Sequence, residues 1–235
     1  TGCEQQMNLD NGRELVRLLQ LSSPVLPVGA FSYSHGLEAA VEAGVVHDQK
    51  SAQAWIIDLL SYSMASMEAP VLLRLIDAWR AQDFTAAAGW NDLFLASRET
   101  AELRAETVQM GYSLARLLNQ LDGIDADALT FVNELGEVSF PSAFALAVGS
   151  WNLPPAAALS AYLWSWAENQ VMAALKIVPL GQTDGQRMLL AIGDRLAAVV
   201  AQASTVSDDD IGTFTPRLAL LSSRHETQYS RLFRS

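Results

Sequence analysis

The stretch PPAAALSAYLWSWAENQVMAALKIVPL, residues 154–180, belongs to the most apolar part of the chain, and its reading decides the fold. Two prolines open it, where their fixed φ suits a first helical turn and a missing N–H costs nothing. Behind them, apolar residues fall on nearly every face of a helical wheel. A helix with no side for water belongs at the centre of a bundle. Glu168, Asn169 and Gln170 interrupt its middle, which argues against a membrane span.

Working outward, Gly181 and Gly185 bracket a predicted loop, residues 186–204 read as a further helix, SDDDIG at 207–212 breaks the pattern, and Pro216 opens a last helix before the tail. Upstream, Pro141 opens one helix and 126–134 forms another. Around 91–118, Leu93, Ala96, Thr100, Leu103, Thr107, Met110, Leu114 and Leu117 recur three and four apart, which predicts one buried helical face. Arg98, Glu99, Glu102, Arg104, Glu106 and Gln109 fall off that stripe and read as a solvated face, with Arg98 and Glu102 forming a pair four apart.

Nearer the N-terminus, Asp10 and Asn11 are expected to cap a short helix whose leucines 15, 18 and 19 make a stripe ended by Pro24. Residues 34–43 read as a helix closed by Gly44. Asp48 caps another that carries Trp55, Ile56, Leu59, Leu60, Met64 and Met67, and Pro70 starts the next. No segment alternates with β-branched residues as a strand requires. The expectation is all-α: one domain over 1–235, a bundle of roughly ten helices around a central apolar one, with a flexible 1–10 and a partner-binding tail at 226–235.

The chain has 235 residues, half of them hydrophobic, enough for a sizeable core. A formal charge of −11 is the wrong sign for holding a phosphate backbone, so nucleic-acid binding is not expected. The single cysteine, Cys3, and the lack of a secretory pattern point to a cytoplasmic protein without disulfides; Met7 is read as a candidate natural start, with the residues before it left from processing or cloning.

Signatures of common enzymes are missing. GQTDGQR, residues 181–187, has no phosphate-loop lysine and reads as a connecting turn. HETQY at 225–229 begins like a zinc-protease helix, but Tyr229 stands where the second histidine must be. His35, His47 and His225 are far apart in sequence, so no clustered metal-ligand set exists, and neither a cofactor nor a catalytic residue is expected. No Gly-x-Ser-x-Gly elbow exposes a nucleophile.

Two segments stand out instead. SSPVLPVGAFSYSHGLE, residues 22–38, is held in a defined irregular path by Pro24, Pro27 and Gly29. If extended, it would place Phe31 and Tyr33 on one side and Ser32 and Ser34 on the other, with a serine left to cap the next helix. It is either a buried connector or a shaped surface for a partner. From 217 onward, Arg217, Arg224, Arg231 and Arg234 stand against Glu226 alone, with Tyr229, Leu232 and Phe233 interleaved. Aromatic and arginine side chains are the usual anchors of interfaces, although self-docking is the alternative for a terminus.

Four stretches in order resemble the urease accessory protein UreF family: LLQLSSPVLPVGAFSYSHGLEAAVEAG (18–44), SRETAELR (97–104), ALKIVPLGQTDGQ (174–186) and SRHETQYSRLFRS (223–235). Ala30 and His35 depart from the glycine and glutamine expected in many members. The resemblance implies an all-helical, homodimeric, non-enzymatic chaperone. It would bridge the UreD/UreH scaffold and the UreG GTPase, and reach apo-urease through that complex while nickel is installed. It places Tyr229, Arg231, Leu232, Phe233, Arg234 and Ser235 at the scaffold, Lys176 and Gln182 at the GTPase, and Phe31 and Tyr33 near dimer and partner surfaces. Two rivals remain: a helical enzyme or small-ligand binder using the 22–38 loop with His35 as acid or base, and a structural oligomer unrelated to urease.

Overall fold

A computed structural model describes the backbone from Gly2 to Ser235 and the side chains from Asn11 onward, and among the described residues there is no strand. Eleven α-helices run in order: α1 (Gly2–Leu21), α2 (Leu37–Glu42), α3 (Gln49–Leu59), α4 (Ala69–Arg80), α5 (Phe84–Ala96), α6 (Ala101–Leu118), α7 (Ala126–Glu134), α8 (Phe140–Ser150), α9 (Pro155–Ile177), α10 (Gln182–Ala203) and α11 (Pro216–His225).

The centre is shared by two helices. In α8 every residue from Phe140 to Val148 is buried, and its small alanines let it pack closely on both α4 and α6. The long apolar α9 packs on α1, α2, α3, α4 and α10. Tyr162 of α9 meets Phe144 of α8 edge-on at 5.0 Å and stacks on Phe140 at 5.5 Å. Aromatic pairs of this kind add about 0.5–1.5 kcal/mol beyond the area they bury. A close backbone approach seats α6: a Cβ at Gly111 would lie 2.1 Å from the Val138 carbonyl oxygen.

Several expectations are corrected. The start of a helix at Pro70 is replaced by continuity, since α3 passes into a π-helical segment, Leu60–Glu68, and straight on into α4. Pro70 has no N–H to offer the Ser66 carbonyl, and the Gly212 N–H donates to that oxygen instead at 3.1 Å. The rod Gln49–Arg80 is long and apolar enough to cross a membrane, yet 67% of its apolar window is buried inside the fold, as in a core helix.

The single helix expected over 91–118 is two. Thr100 caps α6 by accepting from the Leu103 N–H at 3.2 Å, and the irregular 97–99 shifts the phase. The stripe is therefore buried from Thr100 to Leu114 and half-buried at Leu117, whereas Leu93 is exposed. Asp10 and Asn11 do not cap α1, which runs through them from Gly2, and its Leu15 and Leu19 face outward. The side chains of residues 1–10, Cys3 among them, lie outside the described residues. Gly185 lies inside α10, not at a loop edge; Asp184 accepts from the Gly181 N–H at 3.0 Å, and the helix starts at Gln182.

Candidate partner-binding site

Residues 22–38 do not run extended. Ala30–Ser32 is a 3₁₀ turn, so alternation fails and the two rings part: Phe31 is 65% exposed and Tyr33 is buried. His35 and Gly36 follow with φ of 52° and 79°. Gly36 suits this position by its left-handed backbone, and a Cβ there would lie 2.7 Å from Leu218 Cδ1, which would have to shift. This tight reversal starts α2 and turns the Glu38 side chain inward; the Ser34 hydroxyl accepts from the Glu38 N–H at 3.2 Å.

The tail folds back onto this reversal. Arg234 N–H donates to the Ser32 carbonyl at 2.8 Å and Ser34 N–H donates to the Ser235 carbonyl at 2.9 Å, with the Ser34 hydroxyl bonded to the same oxygen. On the other edge, Glu38 Oε1 accepts from Leu232 N–H at 2.7 Å and Oε2 from Phe233 N–H at 2.9 Å. A carboxylate that receives two backbone donors makes charge-assisted bonds, stronger than neutral ones.

Beneath the tail lies a charge network. His225, fully buried, faces Glu102 Oε2 through Nδ1 at 2.6 Å and Glu38 Oε2 through Nε2 at 3.2 Å. Arg231 Nη1 donates to Glu102 Oε1 at 2.6 Å, while Glu106 Oε2 accepts from Ser235 Oγ at 2.7 Å. Thr100 and Ser222 hydroxyls bond at 2.7 Å, tying the start of α6 to α11.

The ten residues named from the sequence divide. Tyr229, Leu232 and Phe31 face solvent, Arg231 and Arg234 lie at the surface, and Lys176 and Gln182 are exposed. Tyr33, Phe233 and Ser235 are buried and present no side chain to solvent. Lys176, expected on a separate surface, has its Nζ 5.3 Å from the centre of the Phe233 ring, a cation–π distance that joins it to the tail. Burial raises the Tyr33 hydroxyl above its ordinary value against the opposing pull of Arg234.

Glu38, Glu102 and Glu106 were missed as site residues. The reading of SRETAELR as a solvated face with an Arg98–Glu102 pair is overturned: Glu102 serves His225 and Arg231, whereas Arg98 turns inward to Glu68 at 3.5 Å and lies over the Phe94 ring at 4.2 Å. Two glutamates four apart on one helix face, in a chain ending in arginines, are the charge complement that could have found Glu102 and Glu106.

Next to the seat, a cavity of about 120 Å³ opens between the 22–31 segment and α9, with His35, Glu68, Arg98, Glu106 and Tyr162 among its lining. Its polar groups are engaged with one another. Tyr162 donates to Glu68, and His35 Nδ1 lies 3.5 Å from Glu106 Oε1. Burial pulls the His35 imidazole down, but Glu106, by charge and hydrogen bond, and Glu68 outweigh it and leave the ring raised. Burial, then Glu68, pushes the Tyr162 hydroxyl far up. Among the described residues no cluster of three or more His, Cys, Asp or Glu could hold a metal ion.

The fold and site define a class: an all-helical protein that seats its own basic tail on a shelf of glutamates. The family model described as UreF matches residues 46–193, more than half of the chain. Urease accessory protein UreF of Dechloromonas aromatica (strain RCB) is 53% identical over 223 residues, covering 94% of this chain and 98% of that protein. The protein of the same name from Azoarcus sp. (strain BH72) is 54% identical over 224 residues, with 94% and 95% covered. A bifunctional urease accessory protein UreEF of Bordetella bronchiseptica is 53% identical over 231 residues, which are 97% of this chain and 53% of that longer protein. The chain belongs to the UreF family of urease accessory proteins.

Proposed function

We propose that this protein is a docking chaperone of urease maturation, a cytoplasmic homodimer that bridges the UreD/UreH scaffold and the UreG GTPase and reaches apo-urease through them. The observation that carries the reading is the seated tail. It is basic on an acidic body and held by its backbone at 232–235, with Leu232 62% exposed there and Tyr229 fully exposed ahead of it. Apolar side chains held outward on a fixed backbone lose little entropy when a partner covers them, and each contributes roughly 1.5–3 kcal/mol when fully buried. The tail therefore serves the scaffold, with Phe233 and Ser235 as its inner anchors.

Lys176 and Gln182 serve the GTPase, and the Lys176–Phe233 contact makes the two docking surfaces neighbours. A partner can shift the GTPase only by binding one of its conformations better than another. The fused relative, named for two accessory proteins in one chain, supports work alongside other accessory proteins. The outward Leu15, Val16, Leu19, Val25 and Phe31 support a homodimer. Nickel is cargo here, and this chain acts by binding, not by turning over a substrate.

Deletion of 226–235 abolishes capture of UreD/UreH in a pull-down and leaves the helical content unchanged; intact capture refutes the tail assignment. Lys176→Ala weakens UreG recruitment without loss of scaffold binding. The cavity beside His35 is the one feature favouring the ligand-binding rival, and turnover of urea by the isolated protein would establish it.

A further inference from the structure

We infer that Glu38 is a positioning residue for partner capture, setting which side chains of the tail face the scaffold. The inference rests on the reading that the tail is the scaffold-binding element. Its ground is the way one carboxylate takes two successive backbone donors, Leu232 N–H on Oε1 at 2.7 Å and Phe233 N–H on Oε2 at 2.9 Å. Two consecutive N–H groups pointing at one side chain fix the rotation of the chain between them. That rotation sends Phe233 inward, to 6% exposure, and Leu232 outward, to 62%.

Because the contacts are to backbone, Glu38 sets the tail's direction without reading its side chains. The glutamate is itself fixed. His225 Nε2 lies 3.2 Å from Oε2, the Ser34 hydroxyl accepts from its own N–H at 3.2 Å, and its burial leaves little water to compete for the carboxylate. Arg234 N–H and Ser235 carbonyl are held from the opposite edge by Ser32 and Ser34. The tail thus lies in a slot, and Glu38 is the wall that fixes its rotation at 232–233. A neutral amide replaces it only in part, since it offers one carbonyl oxygen where the carboxylate offers two acceptors.

The test uses the purified full chain as wild type, Glu38→Gln, Glu38→Ala and the 226–235 deletion. Wild type and the two point variants are followed by trypsin cleavage after Arg231, and all four proteins by UreD/UreH capture, by helical content and by thermal midpoint. Cleavage after Arg231 should rise at least tenfold in Glu38→Ala and by a smaller factor in Glu38→Gln. Scaffold affinity should fall in the same order, with helical content unchanged and the partial rescue by glutamine not matched by the thermal midpoint.

Unchanged cleavage in both variants overturns the inference. So does faster cleavage with full capture while the deletion loses capture; in that case the tail remains the scaffold element and its orientation does not matter. Capture by the deletion protein overturns the tail reading itself, and this inference with it. Where Glu38→Ala does not fold, the comparison of Glu38→Gln with wild type carries the same two readings.

Discussion

Helix α8 and the tail seat are both buried, and they are buried for opposite reasons. Nine successive residues of α8, Phe140–Val148, bury mostly apolar groups against apolar neighbours, so proximity alone stabilises them and many arrangements of similar volume would serve. The seat buries Glu38 and His225 beside Glu102 and Arg231, and each of these stabilises only while its partner stands at hydrogen-bond distance. One region therefore supplies stability, and the other supplies a defined position for a chain end.

Phe144→Ala would break the first side of the contrast most severely. It removes a fully buried ring that meets Tyr162 at 5.0 Å, at a cost of about 3–5 kcal/mol in a denaturant midpoint, and partner capture should survive in the molecules that stay folded. Gly111→Ala should cost about 1–3 kcal/mol by overpacking, because backbone at Val138 blocks the new methyl at 2.1 Å and cannot rotate away as a side chain would.

On the seat, Arg231→Ala should change stability by under about 1 kcal/mol, since its side chain is 40% exposed and its pair with Glu102 is screened by water. Scaffold affinity should fall clearly all the same. Smallest in size is a pH effect next to the seat. His35 is raised in the fold above its ordinary 6.5, so its contribution is complete below that value and is lost as pH rises through the higher folded one. His35→Gln should therefore flatten the fall in thermal midpoint from about neutral pH upward, measured against wild type over the same buffers.

The helices themselves were largely legible. Residues 126–134, Pro216 at the start of α11, Asp48 as the cap of α3 and Gly44 as the close of α2 stand where caps and prolines place them. Failures came where another segment overrode a local rule. Pro70 reads as a start because a proline removes a donor, yet the π-helical turn and Gly212 accommodate that loss and the rod continues. Phe31 and Tyr33 read as one face because alternation assumes an extended chain, and the 3₁₀ turn separates them.

Charge was the least legible property. Arg98 and Glu102 are four apart and read as partners on a wet face, but the chain breaks between them and each turns to a distant residue, Glu68 and His225.

The sequence by itself determined the helical class, the apolar centre and the four ordered stretches that place the chain in its family. These rest on periodicity and local backbone chemistry, which act within a few residues. Only the tertiary structure decided that the tail turns half inward, that Lys176 lies beside Phe233, and that three glutamates form the seat. The reason is distance along the chain: Glu38 meets Phe233 across 195 positions and His225 meets Glu102 across 123. No local pattern records which charges will face each other when such segments are packed together.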